Sequence, residues 1–167
     1  MQLSNTTGHS VFSSISASTS TSDGKKRIFV AWQDVTPQNG GILFRKSDDG
    51  GTTFGNTVTL DGSWNRAGSP AVASSINSPN VHVAWNDGTS GNNEIIFSTS
   101  TNNGDSFGST INLSDNPNDS VLPSVAVSNN YVYVAWTDDR TGTSDIFLHR
   151  ENNMQLDIKL ILKLRGF

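Results

Sequence analysis

The 167-residue chain contains no cysteine, so it has neither a disulfide nor a thiolate metal site. Glutamate occurs only at Glu94 and Glu151, and alanine and leucine are scarce. A mostly helical protein needs these strong helix formers, so the composition argues against one. Charged residues make up only 16% and the net charge is −4, which gives no reason to expect nucleic-acid binding. No apolar run approaches the roughly 18 residues of a membrane-spanning helix, so no membrane span is expected. The first twenty residues have no basic start and no apolar segment, and they do not read as a secretory signal. Either the chain is not exported by that route, or it is a mature or partial chain. The three histidines, His9, His82 and His149, share no metal-ligand spacing. No metal and no cofactor is therefore expected.

What the chain does have is serine, threonine and asparagine, 58 residues together, and 15 glycines. With Val, Ile, Phe and Trp between such turn formers, the expectation is an all-β fold. Self-comparison then organises it. Ile28–Asp34 reads IFVAWQD, Val81–Asp87 reads VHVAWND and Val132–Asp138 reads VYVAWTD. The spacings from Trp32 to Trp85 and from Trp85 to Trp136 are 53 and 51 residues. Ile42–Phe44 matches Ile95–Phe97 and Ile146–Leu148, and Val58–Leu60 matches Ile111–Leu113. Leu3–Ser18 lies on Leu113–Ser128 without a gap.

Three units of about 52 residues thus cover residues 1–153, at about 5–60, 61–113 and 114–153. Each holds four short β-like runs separated by Asn, Gly, Ser and Asp clusters, except that the third unit lacks its fourth run. Four-stranded antiparallel sheets stacked through a repeat are the blades of a β-propeller, so about three blades, a partial propeller, are expected. The three repeated tryptophans are predicted to be buried between blades, and Asp34, Asp87 and Asp138 to cap turns. Residues 154–167 break the pattern. There Leu156, Ile158, Leu160, Leu162 and Leu164 alternate with mostly polar residues, and the tail is predicted to be the missing strand.

Between the third and fourth runs lies SDDGGTTF, with Ser47, Asp49, Gly51, Thr53 and Phe54 at its defining positions. The second unit repeats it with Ser100, Asn102, Gly104, Ser106 and Phe107. This octet resembles the Asp-box, or bacterial neuraminidase repeat, of sialidase-like β-propellers. Its expected role is structural. Gly51 and Gly104 permit positive φ, Asp49 or Asn102 bonds the turn amides, and the aromatic ring pins the hairpin.

The resemblance implies that a catalytic member would use three arginines on a substrate carboxylate, a Tyr–Glu nucleophilic pair and an Asp acid/base. Here the arginine-bearing family motif is missing, and neither Tyr131 nor Tyr133 has an obvious Glu partner. Only Arg66 and Arg140 fall in the loops of the expected substrate face. No catalytic residue is therefore assigned. Trp64 and Arg66, with Asp139 and Arg140, are the candidate ligand-binding residues. The leading expectation is a non-catalytic surface or extracellular module that binds a glycan or a protein. The alternatives are a sialidase-type glycoside hydrolase completed by further blades or a second chain, and a partial chain with no independent activity. Three blades leave both ends of the stack open, so a homodimer completing a six-bladed ring is the expected self-association.

Overall fold

The computed structural model describes residues 1–20, 22–76, 78–128 and 130–152. Among these there is no helix, and eleven strands form three antiparallel sheets. Sheet 1 holds β1 (Ser10–Thr19), β2 (Lys26–Asp34), β3 (Gly41–Ser47) and β4 (Val58–Asp61), in that order. Sheet 2 repeats it with β5 (Ala67–Ser74), β6 (Val81–Asp87), β7 (Glu94–Ser100) and β8 (Ile111–Asn112). Sheet 3 has β9 (Ser120–Ser128), β10 (Tyr131–Asp138) and β11 (Asp145–Asn152). The predicted strand in the tail falls outside the described residues.

The sheets stack in chain order, and alternation on the VAW strands decides which face meets which neighbour. In β6 the residues Val81, Val83 and Trp85 point toward sheet 1, where they bury Phe29, Ala31, Ile42 and Phe44. The opposite side of sheet 2 offers Ala84, Ile95 and Phe97 to Val132, Val134 and Trp136 of sheet 3. Strand β6 is apolar on both faces because each face has a neighbouring sheet to cover. Trp85 and Trp136 lie in these two junctions, both buried. Trp32 occupies the outer face of sheet 1 with Val30 and Leu43, covered by Leu3 and Phe54. Leu3 therefore does for Trp32 what Leu60 and Leu113 do for the two later junctions.

The first strand of each sheet is longer than the repeat alone indicates. It is interrupted by a bulge at one equivalent place: between Val11 and Ser14, between Gly68 and Ala71, and opposite Ala135–Thr137. Phe12, Ser69 and Leu122 sit there at φ of 50°, 50° and 56°. The residue before and after each bulge thus keeps its place in the ladder, and β1, β5 and β9 reach back to Ser10, Ala67 and Ser120. That extension carries these three positions to the Asp end of each VAW strand: Ser10 faces Asp34, Ala67 faces Asp87 and Ser120 faces Asp138.

Candidate functional site

The strand order divides the molecule into two ends. One carries the octets with the turns that join the first and second strands. Gly50 N donates to Lys26 O at 2.8 Å and Asn103 N to Pro79 O at 2.8 Å, tying each octet to its neighbouring turn. The other end carries the loops that enter each sheet and those that join its second and third strands.

At the octet end the polar atoms serve the turn. Ser47 Oγ accepts from Gly51 N at 2.8 Å and donates to Asp49 Oδ1 at 2.7 Å. Asp49 in turn accepts from Thr53 N at 2.9 Å and from Thr53 Oγ1 at 2.6 Å. These bonds, that from the Thr53 hydroxyl foremost, lower the Asp49 pKa to about 2. The second octet repeats the set: Ser100 Oγ accepts from Gly104 N at 2.8 Å and Asn102 Oδ1 from Ser106 N at 3.0 Å. Asparagine replaces aspartate without loss because its Nδ2 donates to Ser106 Oγ at 2.8 Å. Gly51 and Gly104 have φ of 91° and 80°. The rings do more than pin their own hairpins: Phe107 packs edge-on against Phe44 of sheet 1, with centroids 4.9 Å apart. A shallow cavity of about 300 Å³ lies beside the first octet, lined by Lys46, Asp48, Asp49, Thr53, Phe54 and Gly55. Lys46 there is already engaged with Asp48 and with Asp105 of the second octet, at 3.3 and 2.6 Å.

At the loop end each repeated aspartate anchors its loop. Asp34 accepts from Ser10 Oγ at 2.9 Å, Thr6 Oγ1 at 2.7 Å and Thr36 N at 2.9 Å. Burial pushes this carboxyl up, but the Thr36 hydroxyl, then Thr6, the Thr36 amide and Ser10, outweigh it, so its pKa lies below the usual range. Asp138 repeats the arrangement with Ser120 Oγ at 2.9 Å and Asn116 Nδ2 at 3.4 Å, and adds Trp136 Nε1 at 2.8 Å. Both its oxygens also take the Arg140 guanidinium, Nε at 2.8 Å and Nη2 at 2.6 Å. The Arg140 bonds hold the Asp138 carboxyl far below the usual carboxylate range.

Sheet 2 departs from this pattern. The position of Ser10 and Ser120 is Ala67, so Asp87 has no hydroxyl from its own first strand. Instead it meets Asp61, which accepts from Trp85 Nε1 at 2.8 Å and from Ser63 N at 2.7 Å. Burial and the neighbouring Asp61 raise the Asp87 pKa. Asp61 moves down: burial opposes this, but the Ser63 amide, Asp87 and Trp85 outweigh it. The two carboxyls thus titrate as one pair with a shared proton, and burial and mutual repulsion raise its last step above the ordinary carboxyl value.

The four predicted ligand residues surround these anchors in two places. Trp64 is half-buried and Arg66 exposed on the loop between β4 and β5. Arg66 Nη1 donates to Gly88 O at 2.9 Å, clamping that loop to the β6–β7 connection. Asp139 and Arg140 lie on the β10–β11 connection. Asp139 accepts from Ser144 Oγ at 2.6 Å, and Arg140 stacks 4.3 Å above the Phe147 ring besides pairing with Asp138. Trp64 and Arg66 are thus neighbours along one loop, and Asp139 and Arg140 along another. Between the two pairs stand Asn92, Asn93 and the loop 113–119, joined by Asn92 Nδ2 to Asn116 O at 2.9 Å and Asn93 N to Asp119 Oδ1 at 2.7 Å. The remaining described arginines are elsewhere: Arg27 pairs with Asp23 and Asp48 at the octet end, Arg45 with Thr57, and Arg150 stacks on Tyr131. Among the described residues, no group of three or more His, Asp or Glu is placed to hold a metal ion.

Sequence reasoning had singled out the repeated aspartates but missed their partners Ser10, Thr6, Asn116 and Ser120, and missed Asp61. The signal was present in the gapless alignment of Leu3–Ser18 on Leu113–Ser128, which superposes Ser10 on Ser120 and Thr6 on Asn116. Compared with protein-family models and with curated proteins, the chain matches none.

Proposed function

We propose that the chain is three blades of a sialidase-like β-propeller and acts as a non-catalytic binding module, outside the cell or on its surface, with the loop end as its ligand face. The observation that carries this reading is the setting of Trp64. The residue is half-buried, on a loop held by Arg66–Gly88, Ser63–Asp61 and Thr89–Ser63 bonds. An indole in such a frame offers a flat apolar platform for a sugar ring or a protein side chain at little entropic cost. The charges around it favour binding over catalysis. Arg140 is committed to Asp138, and the two tyrosines lie on β10, where Tyr133 pairs with Arg150 and Ala126 in the ladder rather than with a glutamate. A glycan array probed with the chain and with Trp64→Ala tests this. Binding that the substitution abolishes is expected, and binding unchanged by it would refute the face assignment.

One observation favours a second reading, a glycoside hydrolase completed by further blades or a second chain. Asp87 lies on the loop face beside Asp61, and burial together with that neighbour pushes its carboxyl up, the direction that a general acid requires. Turnover of a fluorogenic sialoside, lost in Asp87→Asn, would support it. An absence of turnover leaves the binding reading in place.

A further inference from the structure

The repeat defines what each sheet face is built to meet, and among the described residues two faces lack that neighbour. In sheets 1 and 2 the side that receives the next sheet is closed: Ile42, Phe44 and Ile95 are 0% exposed and Phe97 2%. The same positions in sheet 3 are Ile146 and Leu148, and these are 75% and 66% exposed. They lie across from Thr137 and Ala135 on the β10–β11 ladder, with Tyr133 on the same side. At the other end of the stack, the position filled by Val72 in sheet 2 is Ile15. Val72 is 6% exposed in the junction with sheet 1, whereas Ile15 is 67% exposed. Ile15 is opposite Val30, so it belongs to the outer face of sheet 1 that carries Trp32.

The two open faces are the two halves of one junction. The outer face of sheet 1 is the Val-x-Trp face that sheets 2 and 3 present backwards to the sheet before them. The open face of sheet 3 is the one that sheets 1 and 2 present forwards. On the outer face of sheet 1, Trp32 Nε1 is buried with no acceptor. Its counterpart Trp85 reaches Asp61 in the sheet before it, and at the matching position preceding sheet 1 stands Ser4. On sheet 1 Val30, Trp32 and Leu43 are already buried and Ile15 is left exposed, while on sheet 3 both Ile146 and Leu148 are exposed. Exposed apolar side chains grouped on a face mark association surfaces.

We propose that a second copy of this chain docks head to tail, the Ile146–Leu148 face of one chain covering the Ile15–Val30 face of the other, in a pair with two such junctions. These sheet faces are separate from the loop end and from any ligand there. Light scattering on the 167-residue chain should give a particle of twice the 17.9 kDa chain mass. Ile15→Asp and Leu148→Asp each alter an exposed side chain, so circular dichroism should stay unchanged while each variant alone becomes monomeric. Mixing the two variants should restore a pair, because one intact face of each kind remains. A wild-type monomer at all concentrations would overturn the proposal, and covering of Leu148 by residues 154–167 of the same chain would show itself as that monomer. Association lost in Leu148→Asp but kept in Ile15→Asp would also overturn it, since that pattern belongs to two sheet 3 faces meeting each other.

Discussion

Ser120 donates to Asp138 across 2.9 Å, and Asp138, fully buried, carries the loop end of sheet 3 on that bond and those from Trp136 and Arg140. Removing the carboxylate would strand the Trp136 Nε1 donor and a guanidinium whose other partner is a carbonyl, that of Ser114. Breaking a buried ion pair from one side costs about 3–5 kcal/mol, and the partial exposure of Arg140 places Asp138→Ala at about 3 kcal/mol. Urea unfolding at neutral pH measures it. The pH dependence has a definite sign. The folded pKa lies below the unfolded one, so the stabilisation is complete above the ordinary carboxyl range near pH 4 and is lost as pH falls below it. Wild type and Asp138→Ala should therefore converge in stability on acidification.

Asp87 contributes the opposite slope. Asp87 has a raised folded pKa, so its contribution is present below the unfolded carboxyl pKa and is lost as pH rises through the folded value. Asp87→Asn keeps an acceptor for Thr89 N, whose bond to Oδ1 is 2.6 Å, and offers Asp61 a permanent donor. The variant should equal wild type below about pH 4 and exceed it in stability at neutral pH. Thermal melts at several pH values check this, and a neutral-pH loss of stability would contradict the shared proton.

The strands, their number in the first two units and the burial of the VAW tryptophans were legible because they follow from alternation and from a repeat that superposes like on like. The bulges were not. Phe12, Ser69 and Leu122 share a left-handed backbone but no side-chain chemistry, so nothing in the residue types marks them. The capping role of Asp34 and Asp138 was visible from their recurrence, whereas the carboxyl pair of sheet 2 arises where recurrence fails, at Ala67. Trp64 stands out in the sequence because it departs from the repeat, Arg66 because it falls in a loop of the expected substrate face, and Asp139 and Arg140 because charge is dense there. The structure engages Arg140 internally, a consequence of its two-residue spacing from a buried Asp138.

The tryptophans should respond differently to the same change. Trp85 is fully buried and donates to Asp61, so Trp85→Ala should cost about 3–5 kcal/mol. Trp85→Phe keeps most of the apolar volume but leaves Asp61 short of a donor, at about 1–2 kcal/mol. Trp32→Phe removes a donor that has no acceptor, so it should cost clearly less than Trp85→Phe. Denaturant midpoints of the four proteins side by side provide the comparison, and equal losses for the two Phe variants would contradict it.

Gly104 separates two reasons for glycine. At φ of 80° an L side chain is strained, by about 1–2 kcal/mol. A Cβ there would also stand 2.9 Å from Phe44 Cζ, part of a buried ring that stacks on Phe29 and takes the edge of Phe107. Gly142, at φ of 91° on the β10–β11 connection, has nothing within 4 Å of that position. Gly142→Ala should therefore show backbone strain alone, about 1 kcal/mol, and leave the core spectroscopically unchanged. Gly104→Ala should lose about 3 kcal/mol, because overpacking adds about 1–3 kcal/mol to the strain. The extra loss depends on the ring, so Phe44→Leu should shrink the penalty of Gly104→Ala in a double-mutant cycle. Additive losses would show that the second octet does not press on sheet 1 and that its glycine answers only to the turn.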